Sequence, residues 1–173
     1  MHHELLMTLA LLVFPLTVAS AKTFVPLDVR FLPDGADGVR SWIFSAAKKG
    51  DDRSSVTPVM ANGEPGVRIT AGERSVNLFH KSAIAAEAGR RYEISAKVRG
   101  SGQCSVGFFM YGAKWAWKGS TGTLEAPAPP SANEMKAIRT TLTVPDGVES
   151  IRPTLSAAPG SDVLFCAVEL LRL

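Results

Sequence analysis

RYEISAKVR, residues 91–99, alternates apolar with charged or polar side chains without a break. Because successive side chains of a strand point in opposite directions, every second residue lies on the same face. The residues of the apolar face are Tyr92, Ile94, Ala96 and Val98. This pattern predicts a strand with one face in a hydrophobic core and the other in water.

Other segments repeat this alternation and are separated by turn residues. Residues 137–144, 150–156 and 163–170 place aliphatic side chains on one face. Pro145-Asp146-Gly147 separates the first two, and this is turn chemistry, since Pro fixes φ and Gly accepts a positive φ. Less regular strands are predicted at residues 41–45, 66–70, 75–79 and 104–111. This number and spacing of strands predicts an all-β chain folded as a two-sheet antiparallel β-sandwich, a jelly roll.

Two segments carry no clear strand pattern. Residues 84–88 suit a helical turn, an edge strand or a loop, and residues 119–133, rich in Pro and Ala, are predicted to form a loop. No internal repeat or composition break divides the rest, so we expect residues 22–173 to form a single domain.

The first 21 residues have the character of a signal peptide. Residues 5–18 are almost wholly apolar, and Ala19-Ser20-Ala21 offers the small residues that signal peptidase requires. We predict cleavage before Lys22 and a secreted or periplasmic product that is not attached to the membrane. A membrane anchor is the alternative, but this run is broken by Pro15 and is shorter than the roughly twenty residues that a spanning helix needs.

The charge of the chain is only mildly basic. There are 19 Lys and Arg against 16 Asp and Glu, which gives a formal net charge of +3. The basic residues are spread along the sequence, and no nucleic-acid-binding module is recognisable, so no nucleic-acid partner is expected. Such an excess is typical of a soluble protein with weak attraction to acidic surfaces.

Cys104 and Cys166 are the two cysteines of the chain. In an oxidising compartment, two cysteines suggest a disulfide bridge. Two separate buried thiols are an equal alternative, because the sequence does not give the distance between them. Neither has a Cys or His at metal-ligand spacing, so no metal site is expected at either.

The order of these elements resembles the galactose-binding-like jelly roll of carbohydrate-binding modules of families four, nine, sixteen and twenty-two. The resemblance covers residues 34–173. Its four segments are a Gly-rich turn before a tryptophan strand (34–42), a strand opened by Gly and Tyr (88–99), a strand-turn-strand unit (142–155) and a hydrophobic closing strand (163–170). The resemblance implies a jelly roll that binds glycans and is not an enzyme.

Members of this group often hold a structural calcium with an aspartate of the last strand. In the matching residues 164–170, Cys166 and Ala167 stand where the acids would be. Calcium takes several oxygen ligands, and this strand offers few. A calcium site that uses Asp34 or Asp37 stays open, but no cofactor is expected.

The richest aromatic run contains the candidate ligand-binding residues. Trp115 and Trp117 are two apart, so both rings point to one side of an extended segment, and Phe109 and Tyr111 share their parity. An exposed aromatic ring can stack on the apolar face of a sugar, so we expect these four residues to bind a polysaccharide or oligosaccharide. The alternative is that the rings belong to the core, as we expect for Trp42.

Polar residues on the strands form a second set of candidates. Asn77, Arg139 and Arg152, together with Glu93, would reach sugar hydroxyls if their sheet is the binding sheet. Otherwise they belong to a solvated sheet face. His80 is the one histidine after the leader and is expected at the surface.

Enzyme motifs are not apparent. The sequence offers no nucleophile, histidine and acid set and no Gly-x-Ser-x-Gly elbow, and no phosphate or cofactor fingerprint is present. A carboxylate pair for glycoside hydrolysis stays open, because such pairs are assembled in space. The leading prediction is a secreted, non-catalytic glycan-binding domain. The alternatives are a cell-surface or periplasmic sandwich that contacts proteins and, third, a small glycan-active enzyme.

Overall fold

The strands are described in a computed structural model that covers residues 21–33, 39–45 and 53–173. This part of the chain consists of short and long strands and one 3₁₀ turn at Ala113–Trp115, which confirms the all-β prediction. The strands are β1 (Thr23–Phe24), β2 (Trp42–Ser45), β3 (Ser55–Ala61), β4 (Glu64–Thr70), β5 (Val76–His80), β6 (Ile84–Ala85), β7 (Arg91–Ser101), β8 (Cys104–Tyr111), β9 (Trp117–Ser120), β10 (Lys136–Thr143), β11 (Ser150–Ala157) and β12 (Asp162–Arg172).

These strands form two sheets. Sheet 1 has the order β10-β7-β12-β4-β3, and β1 pairs with β12. Sheet 2 has the order β2-β5-β11-β8-β9, and β6 pairs with β11. All paired strands are antiparallel. The predicted two-sheet antiparallel sandwich is therefore confirmed.

The core lies between the sheets and is built by the alternation read from the sequence. The apolar face of β7 is buried, with no side chain of that face more than 4% exposed. Ile138 and Leu142 of β10 and Ile151 and Leu155 of β11 are buried in the same way. Trp42 is 2% exposed, which confirms it as a core residue. Each strand thus presents its other face away from the core.

Three strands lie where no strand was predicted. β3 contains Pro58 and lies at the edge of sheet 1, where a residue without an N–H is tolerated. The β3–β4 hairpin turns through Asn62 and Gly63, both with positive φ, as a two-residue hairpin turn requires. β1 and β9 are the other two, and β9 overlaps the start of the predicted loop. At residues 84–88 the edge-strand alternative holds in part, as the two-residue β6.

The two cysteines are free and buried, and they lie in different layers. Cys104 belongs to the core between the sheets. Cys166 pairs in register with the outward-facing Lys97, and its Sγ lies 3.3 Å from Sδ of Met135. Side chains on different layers cannot satisfy disulfide geometry without moving the backbone. The structure therefore corresponds to two separate thiols rather than a bridge.

Two sequence predictions concern residues outside the described ranges. Residues 1–20 of the predicted signal peptide are among them, as are Asp34 and Asp37 of the calcium site that was left open. The chain segments that the structure describes contain no helix long and apolar enough to cross a membrane. They also contain no group of three or more His, Cys, Asp or Glu side chains placed to hold a metal ion.

Candidate functional site

The face of sheet 2 that points away from the core carries a row of aromatic rings in contact with one another. We call Phe79, Phe109, Tyr111, Trp115 and Trp117 the aromatic patch. The ring centroids of Phe79 and Phe109 are 5.3 Å apart, and those of Phe109 and Trp117 are 5.2 Å apart. Tyr111 lies 5.7 Å from Trp115 and 5.6 Å from Trp117. The ring contacts therefore run from β5 to the edge strand β9.

The register of β8 places the middle of this row. Phe108 and Met110 point into the core, so Phe109 and Tyr111 point outward. Tyr111 pairs with Trp117 across β8 and β9. Side chains directly opposite one another on neighbouring strands are in contact distance, so the strand pairing itself brings these two rings together.

Trp115 reaches the patch from a tight turn, which differs from the extended segment that the sequence predicted. Lys114 and Trp115 have φ of 52° and 64°, in the left-handed region. The turn is closed by the Gly112 N–H, which donates to the carbonyl of Ala116 at 2.8 Å. Trp115 and Trp117 still lie beside one ring, that of Tyr111, although Trp115 itself is in the left-handed region rather than extended.

Both tryptophans are open to solvent. Trp115 is 59% exposed and Trp117 is 56% exposed. The alternative that these rings belong to the core is therefore not what the structure shows. Large aromatic side chains normally lose most of their exposure on folding. Two adjacent exposed indoles on a sheet face therefore indicate a binding surface.

Arg152 lies among the rings of the patch. It is on β11, and its guanidinium carbon lies 4.9 Å from the ring centroid of Trp115, 5.6 Å from that of Tyr111 and 5.7 Å from that of Phe79. Its Nε is buried and has no hydrogen-bond partner among the residues that the structure describes. The predicted candidate Arg152 is thus brought together with the predicted aromatic residues.

Asn77 contributes a polar group to the same face. It pairs across the sheet with Ser156, whose hydroxyl donates to Oδ1 of Asn77 at 2.7 Å. Asn77 is two residues from Phe79 on β5, and the two therefore share a face. Asn77 thus lies beside the aromatic patch rather than within it.

A segment after β9 borders the patch at Gly107. This outward-facing glycine of β8 has the carbonyl oxygen of Thr121 against it, and a Cβ at position 107 would lie 2.0 Å from that oxygen. The absence of a side chain lets the backbone of residues 121–122 lie directly on the sheet. This backbone covers the outward face of β8 at Gly107, on the side of Phe109 away from Tyr111.

Arg139 and Glu93 are not part of this site. Both belong to sheet 1, where Arg139 of β10 pairs with Ser95 and Glu93 pairs with Thr141. The sequence grouped Arg139 with Asn77 and Arg152, but the structure places it on the other sheet, because local alternation shows that a residue faces outward but not which sheet its strand joins. The outward faces of the two sheets lie on opposite sides of the core.

His80 lies inside the protein, which corrects the prediction of a surface histidine. It is 8% exposed, and its ring meets that of Trp42 edge to face at a centroid distance of 5.3 Å. Nδ1 lies 3.1 Å from the carbonyl oxygen of Ser82, and Nε2 is buried without a partner in the described chain. A histidine packed in this way is removed from the aromatic patch.

Phe79 is the patch residue that sequence reasoning missed. It shares its face with Asn77, which was a candidate, and it follows Asn77 by two residues. That parity was the available signal. From the sequence alone, Phe79 would be assigned to the core. The pairing of β5 with β11, and of β11 with β8, shows instead that it lies beside Arg152 and Phe109.

Comparison with known proteins identifies the fold. No protein-family model matches the chain, and no curated protein matches it by sequence. A solved structure with a similar fold is the enzymatically active domain of tailspike protein 4 from bacteriophage CBA120, 13% identical with a TM-score of 0.61. The match covers 84% of this chain and 22% of that one.

Two further similar structures contain carbohydrate-binding modules. The CBM22-1–GH10 modules of Clostridium thermocellum endo-1,4-β-D-xylanase 10B, complexed with xylohexaose, are 15% identical with a TM-score of 0.58, over 77% of this chain and 26% of that one. The CBM22-2 xylan-binding domain of Paenibacillus barcinonensis Xyn10C is 10% identical with a TM-score of 0.55, over 79% of this chain and 94% of that one. The resemblance read from the sequence is thus confirmed at the level of the fold. This chain has the jelly-roll fold of carbohydrate-binding modules.

Proposed function

We propose that this chain is a secreted, non-catalytic domain that binds glycans by stacking sugar rings on the aromatic patch. The observation that carries the proposal is the position of Trp115 and Trp117. Each ring is held against Tyr111, yet more than half of each residue is open to solvent. A ring that is fixed by its neighbours and exposed on one side is ready to bind without a large ordering cost.

The chemistry of the patch suits a sugar ring. The CH groups of a pyranose form an apolar face that packs on the negative face of an aromatic ring. The hydroxyl groups around the rim of the sugar need hydrogen-bond partners, because polar groups buried without partners cost free energy. Arg152 and Asn77 supply such partners beside the rings. The face thus combines an apolar platform with polar groups near it.

The backbone of the turn that holds Trp115 also supports a binding role. Left-handed conformations cost non-glycine residues about 1–2 kcal/mol each, and Lys114 and Trp115 both adopt them. Strained backbone of this kind is concentrated at functional sites. The ring it presents stays exposed, so the strain is not needed to fill the core.

The non-catalytic part of the proposal is supported by the position of His80. This is the histidine that a nucleophile would need as a base, and it is buried against Trp42. The comparisons support a glycan as ligand, because the family-22 module with a similar fold is a xylan-binding domain. Secretion is part of the same proposal and rests on the apolar leader of residues 1–21.

Affinity gel electrophoresis on a panel of plant, algal and bacterial polysaccharides, followed by calorimetry on the retarding polymer, tests this proposal. Xylan belongs in the panel. Trp115→Ala and Trp117→Ala are each expected to weaken binding about tenfold, since losing a stacking contact and the apolar surface it covers costs about 1.4 kcal/mol. Phe24→Ala is the matched control, because Phe24 is 57% exposed but lies on β1 of sheet 1.

Two results would contradict the proposal. One is no retardation of the wild-type chain by any polymer of the panel. The other is an equal loss of binding in the Phe24→Ala control. A reducing-sugar assay on the retarding polymer tests the non-catalytic part separately, and release of sugar by the wild-type chain would overturn it.

A further inference from the structure

The charges on the two sheets differ in a way that bears on the ligand. The four strands β2, β5, β11 and β8 of sheet 2 contain a single Lys, Arg, Asp or Glu residue, which is Arg152. Sheet 1 carries both basic and acidic residues. A bidentate ion pair joins Arg68 of β4 to Asp162 of the neighbouring strand β12. The candidate binding face thus has the positive charge of Arg152 at its centre and no acid on these four strands to neutralise it, while the edge strand β9 adds a second cation, Lys118.

In the described part of the chain, the residues around Arg152 provide aromatic rings for its guanidinium group but no carboxylate and no acceptor for its Nε. Rings of the patch lie within 5.7 Å of the guanidinium carbon, and cation–π attraction offsets some of the lost hydration. Aromatic rings do not replace the in-plane acceptors that guanidinium N–H groups require. Within residues 21–33, 39–45 and 53–173, Arg152 takes part in no ion pair, and its buried Nε has no acceptor.

A half-buried guanidinium group that has no ion-pair partner and a buried, unpaired Nε in the described segments is a costly arrangement, and an anionic ligand would offset part of that cost. Because Nε is inaccessible while the residue is only half-buried, a ligand is expected to meet the terminal Nη groups. The planar guanidinium group matches a carboxylate in geometry and charge. The ligand that fits both the rings and this cation is a sugar with a carboxylate beside its apolar face.

We propose that the ligand of the aromatic patch is an acidic glycan, one that contains uronic acid residues, and that Arg152 pairs with the uronate carboxylate while the tryptophans stack on the sugar chain. This inference rests on the proposed glycan binding and adds the class of sugar. It assigns Arg152 a role in selecting the ligand and leaves the tryptophans their role in general affinity.

Pairs of polymers that differ only in charge test the inference. Polygalacturonate, glucuronoxylan and alginate are each compared with their carboxyl-reduced forms by calorimetry, at low and at high NaCl. The wild-type chain is expected to bind at least one acidic polymer about tenfold more tightly than its reduced form, since hydrogen bonds to charged groups are the strong ones. Added salt is expected to shrink this difference, because it screens the charge pair.

Substitutions at position 152 locate the preference. Arg152→Gln is expected to remove the preference for the acidic form and to keep binding of the reduced form. Arg152→Lys keeps the charge without the planar fork and is expected to retain part of the preference. Arg139→Gln is the matched control, since it removes the same charge from an exposed position on sheet 1 and is expected to change nothing. Far-UV circular dichroism verifies that each variant is folded.

The outcomes separate this inference from the proposed function. Tryptophan-dependent binding of neutral polymers with no preference for acidic ones overturns the acidic ligand and leaves glycan binding intact. A preference that persists in Arg152→Gln, or that dextran sulfate reproduces at equal strength, overturns the carboxylate pairing at Arg152. Failure of every polymer to bind overturns both proposals.

Discussion

The guanidinium carbon of Arg152 lies 4.9 Å from the centroid of the Trp115 ring. This contact joins a central strand of sheet 2 to a turn that lies outside the strands. Trp115 is therefore not a loosely tethered ring, although 59% of the residue is exposed. Its position depends on a neighbour that also carries the charge of the binding face.

A double-mutant cycle between Arg152→Gln and Trp115→Ala is expected to show coupling. Cation–π contacts near the surface are worth about 0.5–1 kcal/mol, so the two substitutions together should cost less unfolding free energy than the sum of the single changes, by about that amount. Urea denaturation of the four proteins measures it. The matched cycle of Arg152→Gln with Trp117→Ala tests for indirect effects, because Arg152 makes cation–π contacts with Phe79, Tyr111 and Trp115. Equal coupling in both cycles would argue against the direct contact.

Tryptophan fluorescence should separate the core indole from the two exposed ones. Trp42 is buried, and its Nε1 donates to the carbonyl of Asp28 at 2.8 Å. A Trp115→Phe/Trp117→Phe variant is expected to emit at short wavelength and to resist quenching by acrylamide, because only Trp42 remains. A Trp42→Phe variant is expected to emit at long wavelength, to be quenched readily and to change its emission when glycan is added. Strong quenching of the first variant would show that Trp42 is exposed.

The sequence predicted the strands whose alternation reports directly on burial. β7 is the clearest, because an apolar residue at every second position leaves one way to bury the apolar face. β3 was missed since Pro58 and the exposed Met60 interrupt its alternation of apolar and polar residues. The Asn62-Gly63 pair at its end was the signal that a hairpin was present, because both positions need positive φ.

Candidate site residues were predictable where local alternation alone shows that a side chain faces outward. They were not predictable where their position depends on which strands pair. Tyr111 and Trp117 were found because each points outward from its own strand. Phe79 and Arg139 could not be sorted in this way, since their membership of sheet 2 and sheet 1 depends on partners far along the chain. The turn at Trp115 was also beyond reach, because left-handed non-glycine residues are set by surrounding contacts rather than by local preference.

The thiols are expected to resist modification in the native protein. Burial raises the pKa of Cys104 to about 11 and raises the pKa of Cys166, so little reactive thiolate forms near neutral pH. A disulfide-exchange reagent should therefore react slowly with the folded chain. In guanidinium chloride without reductant, both Cys104 and Cys166 are expected to react, since the structure has them as free thiols.

The control for this measurement is a Cys104→Ser variant, in which one thiol fewer should react with the reagent after denaturation. If no thiol of the denatured wild-type chain reacted with the reagent, the two cysteines would be bridged. Such a bridge would require the layers of Cys104 and Cys166 to be rearranged.

Asp28 is expected to make stability depend on pH in acid. Its carboxylate accepts hydrogen bonds from the Arg30 guanidinium at 2.9 Å and from the Ser41 hydroxyl at 2.9 Å. The hydrogen bond from Arg30 is the main cause that lowers the pKa of Asp28 from 3.8 to about 2, while desolvation opposes it. Because the pKa is lower in the folded chain than in the unfolded one, the unfolded chain takes up the proton first. The stabilisation is therefore present above pH 3.8 and is lost as the pH falls toward 2.

Asp28→Asn tests this linkage, because it removes the titrating group and keeps an oxygen for the Ser41 hydroxyl. Above the ordinary pKa of an aspartate, the variant is expected to melt a few degrees below the wild-type chain, a modest effect because Arg30 is largely exposed. Thermal melts at decreasing pH should bring the two curves together near pH 2. Glu87→Gln is the matched control, since it removes an acid from a fully surface ion pair with Arg90 and should move the melting temperature less. A difference between wild type and Asp28→Asn that stays constant through this pH range would mean that the Asp28 carboxylate has the same pKa in the folded and unfolded chain.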